Sequence, residues 1–398
     1  KLKKFKFNIL FMNLAELIGN EEKRLARFPI AREKIFLSHA AVTALPHCAA
    51  QAMADYAYSS CKDHQEFPEF MKTMTETRQL SADLIGAEAS EIALLGPTSL
   101  GLSLFAKGIS WEPEDEVICY MDDYPANVYP WMELERIGVK VKYLKSEELG
   151  VITPELIESN LSEKTRLVAL ASCNYLTGYR IDINSIGKML GQKNVLFALD
   201  GIQTCGAFPT NVEHVDFMSA DAHKWLLGPM AIGIVYVKKK NFDLLRPALL
   251  GAWNVRSPDY ITQKEISFHN SARRYEPGVL NASGIVGLKA VLEMIQKIGI
   301  DSISKRLLEI KSILVEGVES LGYKIHGPRN GKNASSITSF SHHTEKSSEI
   351  FANLNKAGII ASCRKNRKGE ELLRFSPHFY NTQREINQSL DILAKLSC

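Results

Sequence analysis

The sequence predicts an α/β protein: a large, mostly parallel sheet with helices on both faces, followed by a smaller α+β lobe towards the C-terminal end. Three observations lead there. Between about residues 66 and 237, short β-branched runs alternate with longer amphipathic segments, the pattern of strands joined by crossover helices. After Pro277-Gly278 the pattern changes to long helical periodicity and then to short strands. Finally, 398 residues exceed the roughly 250–300 that a single core organises, so more than one lobe is required.

In chain order, the runs 117–120, 139–144, 167–171, 195–199 and 232–237 read as buried strands. Helices are expected over 122–137 and 153–162. The second opens on Thr153-Pro154-Glu155, which supplies a cap, a proline at the first helical position and an early carboxylate. Ile285, Leu288, Val291, Leu292, Ile295 and Ile298 recur at helical spacing, and 301–321 continues in the same way. Short strands are expected at 336–340, 358–362 and 372–375, with a last helix from Thr382. The run 329–334 is a loop, and 364–371 (RKNRKGEE) is a charged hairpin tip; its alternative role is contact with an anionic substrate or partner. The expected divisions are an N-terminal extension at 1–35 packing on the small lobe, a large domain at 36–284 and a small domain at 285–398.

Composition narrows the function classes. With 23% charged and 45% hydrophobic residues the chain is an ordinary globular protein, neither disordered nor fibrous. Lys+Arg 48 against Asp+Glu 45 leaves a formal +3, too balanced for a nucleic-acid or membrane surface, so the expected ligand is small. The seven cysteines include no CxxC pair, which indicates neither a disulfide framework nor a metal knuckle and fits a reducing cytoplasm. The basic opening 1–11 has too short an apolar run for a leader, and no uncharged stretch reaches the roughly 18 residues of a membrane span.

The chemistry is concentrated at Ser219-Ala220-Asp221-Ala222-His223-Lys224-Trp225, preceded by Asp200-Gly201-Ile202-Gln203. Lys224 follows an expected strand in apolar, small-residue company, and Asp200 ends an earlier strand. In open α/β sheets ligands bind at these strand ends. A desolvated lysine becomes a nucleophile towards an aldehyde, and an aspartate facing a pyridinium nitrogen keeps that ring electron-withdrawing. The pair suggests a pyridoxal phosphate site; a surface lysine and a strand-end capping aspartate are the plain alternative.

The sequence resembles, in order from residue 36 to about 393, the class V aminotransferase group of fold-type I pyridoxal phosphate enzymes. The similar branch contains cysteine desulfurases, selenocysteine lyases and isopenicillin epimerase-like proteins. The resemblance implies a seven-stranded-type sheet and pyridoxal 5'-phosphate held as a Schiff base on Lys224 of the HK pair. Asp200 and Gln203 match the family's D-x-x-Q and are implied to contact the pyridine nitrogen and ring hydroxyl. Gly96-Pro97-Thr98-Ser99 resembles the phosphate-binding hydroxyl pair at a helix start, with His223 as a further donor. Tyr124, in Asp123-Tyr124-Pro125-Ala126-Asn127, stands where the family stacks a residue on the ring. Asn174 is implied near the ring hydroxyl or substrate carboxylate. Arg374, in the R-x-S-x-x-x-Y-N-T pattern, is implied to grip the α-carboxylate of a small amino acid. His39 is implied at the substrate mouth, and Gly278 and Val279 on a loop reaching the phosphate of the other subunit in a homodimer with shared sites.

Two departures matter. Asp221 stands where the desulfurases have a phosphate-binding serine, and a carboxylate cannot donate to phosphate, so it must point elsewhere. A gapless match from Gly358 puts Arg367 where the desulfurase nucleophile belongs, and the only nearby thiol, Cys363, falls four positions early. The reading is therefore an aminotransferase or β-eliminating lyase, with cysteine desulfurase or selenocysteine lyase as the alternative. A non-catalytic scaffold is disfavoured by the intact Lys224, Asp200 and Arg374 set. No Gly-x-Gly-x-x-Gly turn exists for a nicotinamide enzyme.

Overall fold

The computed structural model describes residues 13–66 and 68–396, so the expectation about the basic opening segment 1–11 lies outside the described residues. Seven strands build the large sheet: β1 (Ile92–Leu94), β2 (Glu116–Tyr120), β3 (Lys140–Leu144), β4 (Thr165–Ala171), β5 (Leu196–Asp200), β6 (Phe217–Asp221) and β7 (Gly233–Val237). Their order is β1-β7-β6-β5-β4-β2-β3, and only β7 runs antiparallel to its neighbours.

Strand alternation explains how both faces are covered. Ile118, Val168, Leu170, Phe197, Leu199 and Met218 point into one apolar core, while Val117, Cys119, Leu167, Ala169, Ala198 and Phe217 point into a second on the opposite face. Burial on both faces is why these strands read as continuous apolar runs.

The small lobe is a four-stranded antiparallel sheet of β8 (Lys324–His326), β9 (Thr338–Ser341), β10 (Ser362–Lys365) and β11 (Glu371–Phe375), in the order β10-β11-β9-β8. Helices Ile300–Ser320 and Ser347–Lys356 pack on it, and Gln383–Leu396 packs against both of these helices. The chain's early part joins this lobe: Ile35–Phe36 pairs in parallel with Ile359–Ile360, and Leu37 enters the small-lobe core.

Two expectations need correction. The stretch 122–137 is not one helix but three short pieces, Pro125–Asn127, Tyr129–Met132 and Glu133–Ile137. Pro125 and Pro130 lack the N–H that a continuous helix requires, and Asn127 spends its side chain on Asp123 and Trp131. The second helix is cut to Pro154–Glu158, although Thr153 caps it by accepting from the Leu156 N–H at 3.2 Å. Helix Ala282–Ile298 runs through the expected start of the small domain. That helix packs on helices His47–Ser59 and Pro68–Ile85, and its Ile285, Leu288, Val291 and Ile295 belong to a large-lobe core.

Candidate active site

Parallel strands deliver their carboxyl ends to one edge of the sheet, and the singled-out residues meet there. Asp200 ends β5, Lys224 follows β6, Asp123 follows β2 and Asn174 follows β4. Lys224 is only 6% exposed. Burial lowers its pKa to about 8, opposed by the Asp200 charge and reinforced by the cations Arg374 and Arg364. Burial likewise raises Asp200, while the Ile202 N–H at 3.0 Å and Lys224 hold it down.

The Tyr124 ring lies beside the lysine, its centroid 5.1 Å from Nζ, and meets Tyr175 edge to face at 5.5 Å. At 48% exposure it offers a free ring face. The helix Thr98–Gly108 starts at the same edge. Two glycines let it sit against the sheet: a Cβ on Gly96 would come within 2.6 Å of the Ile232 nitrogen, and one on Gly101 within 2.3 Å of Ser219 Oγ. Thr98 Oγ1 accepts from the Asp221 N–H at 2.8 Å, and Ser99 shares with Tyr124 the lining of an open cleft of about 470 Å³.

The Asp221 side chain is engaged by its own neighbours. Its carboxylate accepts from the Ala222 and Ile232 N–H groups and lies 3.0 Å from His223 Nδ1. Gln203 is more committed than the sequence implies: Nε2 donates to the Ala40 carbonyl and Oε1 accepts from the Trp225 indole at 2.7 Å, leaving one N–H for a ligand. Asn174 Oδ1 takes the Leu176 and Thr177 N–H groups, while Nδ2 reaches the Asp122 carbonyl.

Arg374 is 1% exposed and has no carboxylate partner. Nη1 donates to the Tyr175 carbonyl at 2.6 Å, Nη2 reaches Ser362 Oγ at 3.5 Å, and Nε has no partner. Burial, then Arg364, pushes its pKa down to about 9. Its charge is left uncompensated in the interior.

One expected member does not join the group. His39 is fully buried, with Nδ1 on the Ser376 carbonyl and Nε2 on Tyr380 Oη, both at 2.9 Å, so it has no polar atom left for substrate. Gly278 and Val279 stand on the surface, Val279 at 76% exposure, just past Arg274, Tyr275 and Glu276, which are anchored within the same chain. Conversely, Asp123 received no role from the sequence. It is buried, accepts from the Ala171 N–H at 2.9 Å, and is pushed up to about 7 by burial, an effect the neighbouring Asp200 charge reinforces. An acid at the start of the Asp123–Asn127 motif was the available signal.

A sequence profile described as Aminotransferase class-V matches residues 35–388. The chain belongs to the class-V aminotransferase family. It is a pyridoxal-phosphate-dependent enzyme, and the residues fit the cofactor: a desolvated lysine against a buried acid, an open aromatic face, and a helix start whose N–H groups favour phosphate. A probable cysteine desulfurase of Pyrococcus abyssi is 26% identical over 386 residues, covering 92% of this chain and 95% of that one. An uncharacterized aminotransferase of Bacillus subtilis, YcbU, is 26% identical over 369 residues, with the same coverage of 92% and 95%. Among solved structures, the apo cysteine desulfurase from Thermococcus onnurineus NA1 matches with a TM-score of 0.87 at 23% identity, over 94% of this chain and 98% of that one. The cystine C-S lyase C-DES, in complex with cysteine persulfide, matches with a TM-score of 0.84 at 19% identity, over 92% and 99%. Both share the fold-type I architecture of this class-V enzyme.

Among the described residues no helix is long and apolar enough to cross a membrane, and no group of three or more His, Cys, Asp or Glu could hold a metal ion.

Proposed function

We propose that this class-V enzyme transaminates, or eliminates a β-substituent from, a small amino acid, with Lys224 carrying the cofactor. The observation that carries the reading is the buried Arg374, without a counter-charge, at the edge where Lys224 faces Asp200. Bound there, pyridoxal 5'-phosphate supplies an electron sink for the bonds at the substrate Cα. Arg374 fixes the α-carboxylate through a bidentate pair. Lys224, neutral above about pH 8, takes or returns the Cα proton. With the cofactor bound, Asp200 would pair with the ring nitrogen, Tyr124 would cover a ring face, Gln203 and Asn174 would serve the ring hydroxyl, and Thr98, Ser99 and His223 would hold the phosphate.

Gly278 and Val279 reach the phosphate of a second copy in a homodimer. Exposed apolar side chains, Val279 itself at 76%, Met230 at 66%, Tyr260 at 74% and Ile261 at 64%, are available for a contact between copies. A reducing cytoplasm suits the six described cysteines, all free thiols.

The sulfur-releasing alternative draws support from the relatives named as cysteine desulfurases. Side-chain direction weighs against a nucleophilic Cys363. It pairs with Leu373, a small-lobe core residue, and so shares the core face of the hairpin, whereas its neighbour Ser362 pairs with Arg374 on the other face. Burial also raises the Cys363 pKa, away from thiolate. The test is product analysis after adding an amino-acid panel to the holoenzyme: keto acid or ammonia, lost in Lys224→Ala, supports the reading. Sulfide release from cysteine that disappears in Cys363→Ser overturns it.

A further inference from the structure

The β10-β11 hairpin carries a second arginine towards the site. Residues opposed across an antiparallel pair share a face, as do residues two apart on one strand. Ser362 opposes Arg374, so Arg364 lies on the same face as both. Arg364 is exposed and makes no ion pair or hydrogen bond among the described residues. Three of its charged neighbours are engaged: Lys365 pairs with Glu371 at 3.4 Å, Arg367 with Asp122 at 2.7 Å, and Glu370 accepts from Asn366 at 2.6 Å. The Arg364 charge nevertheless reaches Lys224, Arg374 and Tyr175, bearing on the ionisation of all three.

We propose that Arg364 is a second anion-binding residue of the substrate site, selecting amino acids whose side chain ends in an acidic group. This rests on the proposed reading, in which Lys224 meets the amine end and Arg374 the α-carboxylate. The third cation then stands over the side chain. A guanidinium left free while these nearby carboxylates are taken is available to a ligand anion, and a carboxylate or sulfinate matches its fork.

The test uses holoenzyme titrated with L-aspartate, L-cysteine sulfinate and L-alanine, read by the change in absorbance of the bound cofactor. A second readout is protection against thermal unfolding by succinate and by propionate, which have no amine and undergo no reaction. Wild type is expected to bind the acidic amino acids about tenfold or more tighter than alanine, and succinate tighter than propionate. Arg364→Gln should abolish both preferences, and Arg364→Lys should restore part of each. Equal affinity of wild type for aspartate and alanine overturns this proposal alone, as does an Arg364→Gln protein that keeps the preference or weakens acidic and neutral ligands equally. A holoenzyme that responds to no amino acid overturns the amino-acid reading and this proposal together.

Discussion

Arg24 and Arg374 are both buried, at 2% and 1% exposure, yet they are treated in opposite ways. Arg24 is enclosed by carboxylates, with Nη1 at 2.9 Å from Glu385 and Nη2 at 2.7 Å from Glu21. Burial opposes its charge, but Glu21 and Glu385 outweigh that and leave its pKa raised. Arg374 has a carbonyl, a hydroxyl and an orphaned Nε, and its pKa falls to about 9. Leaving a buried ion uncompensated costs several kcal/mol. Arg24 ties the helix Glu21–Arg27 to the last helix, while Arg374 is left without a counter-charge, the state the proposed substrate role requires.

The largest effect is expected at the unpaired arginine. Arg374→Gln should lower kcat/KM for the substrate by about a hundredfold to a thousandfold, mostly through KM, since a charge-assisted pair is lost. The apo protein should unfold at the same or a higher temperature, because an uncompensated buried charge is removed. Destabilisation by several kcal/mol would erase the contrast. Arg24→Met should do the reverse, costing about 3 kcal/mol by stranding Glu385 in the interior while the folded fraction keeps its KM. Urea denaturation and initial rates on the same preparations separate the two.

Lys224 is the intermediate case, buried beside an acid that does not fully compensate it. Its folded pKa, about 8, is below the usual 10.5. Between these values the unfolded chain holds a proton that the folded chain has lost. This lysine therefore adds stability as pH rises from 8 to 10.5, and its penalty is fullest below pH 8. The neutral amine is the nucleophile, so the rate of cofactor capture by apo protein should rise about tenfold per unit up to pH 8 and level off above it. A profile still climbing at pH 10 would mean a solvated lysine. The smallest effect is expected at Cys363→Ser: less than about a twofold change in the main activity, since the thiol sits on the core face of its hairpin.

Much of the site was legible because strand ends and short motifs coincide. Asp200, Lys224 and Asn174 sit at the ends of apolar runs whose identity needed only periodicity and composition. The parts that were not legible depend on register. Ending the strand expected at 358–362 at Ser362 hid its true extent, in which Ser362–Lys365 is a separate strand and alternation assigns Cys363 and Arg364 to opposite faces. His39 looked like a mouth residue because no local feature announces that Ser376 and Tyr380, distant in sequence, would occupy both ring nitrogens. The break of 122–137 was foreshadowed by Pro125 and Pro130, whose missing N–H groups outweigh the apolar periodicity around them.

On the proposed reading the cofactor is held on Lys224, at the edge shared by Asp200 and Arg374. Reducing the holoenzyme with borohydride and mapping the modified peptide by mass spectrometry tests it most directly. The label should fall on Lys224 alone, and Lys224→Ala should lose turnover by more than about ten-thousandfold while still binding cofactor through the Thr98 and Ser99 helix start. A label on any other lysine, or Lys224→Ala protein that turns over substrate normally, would contradict it.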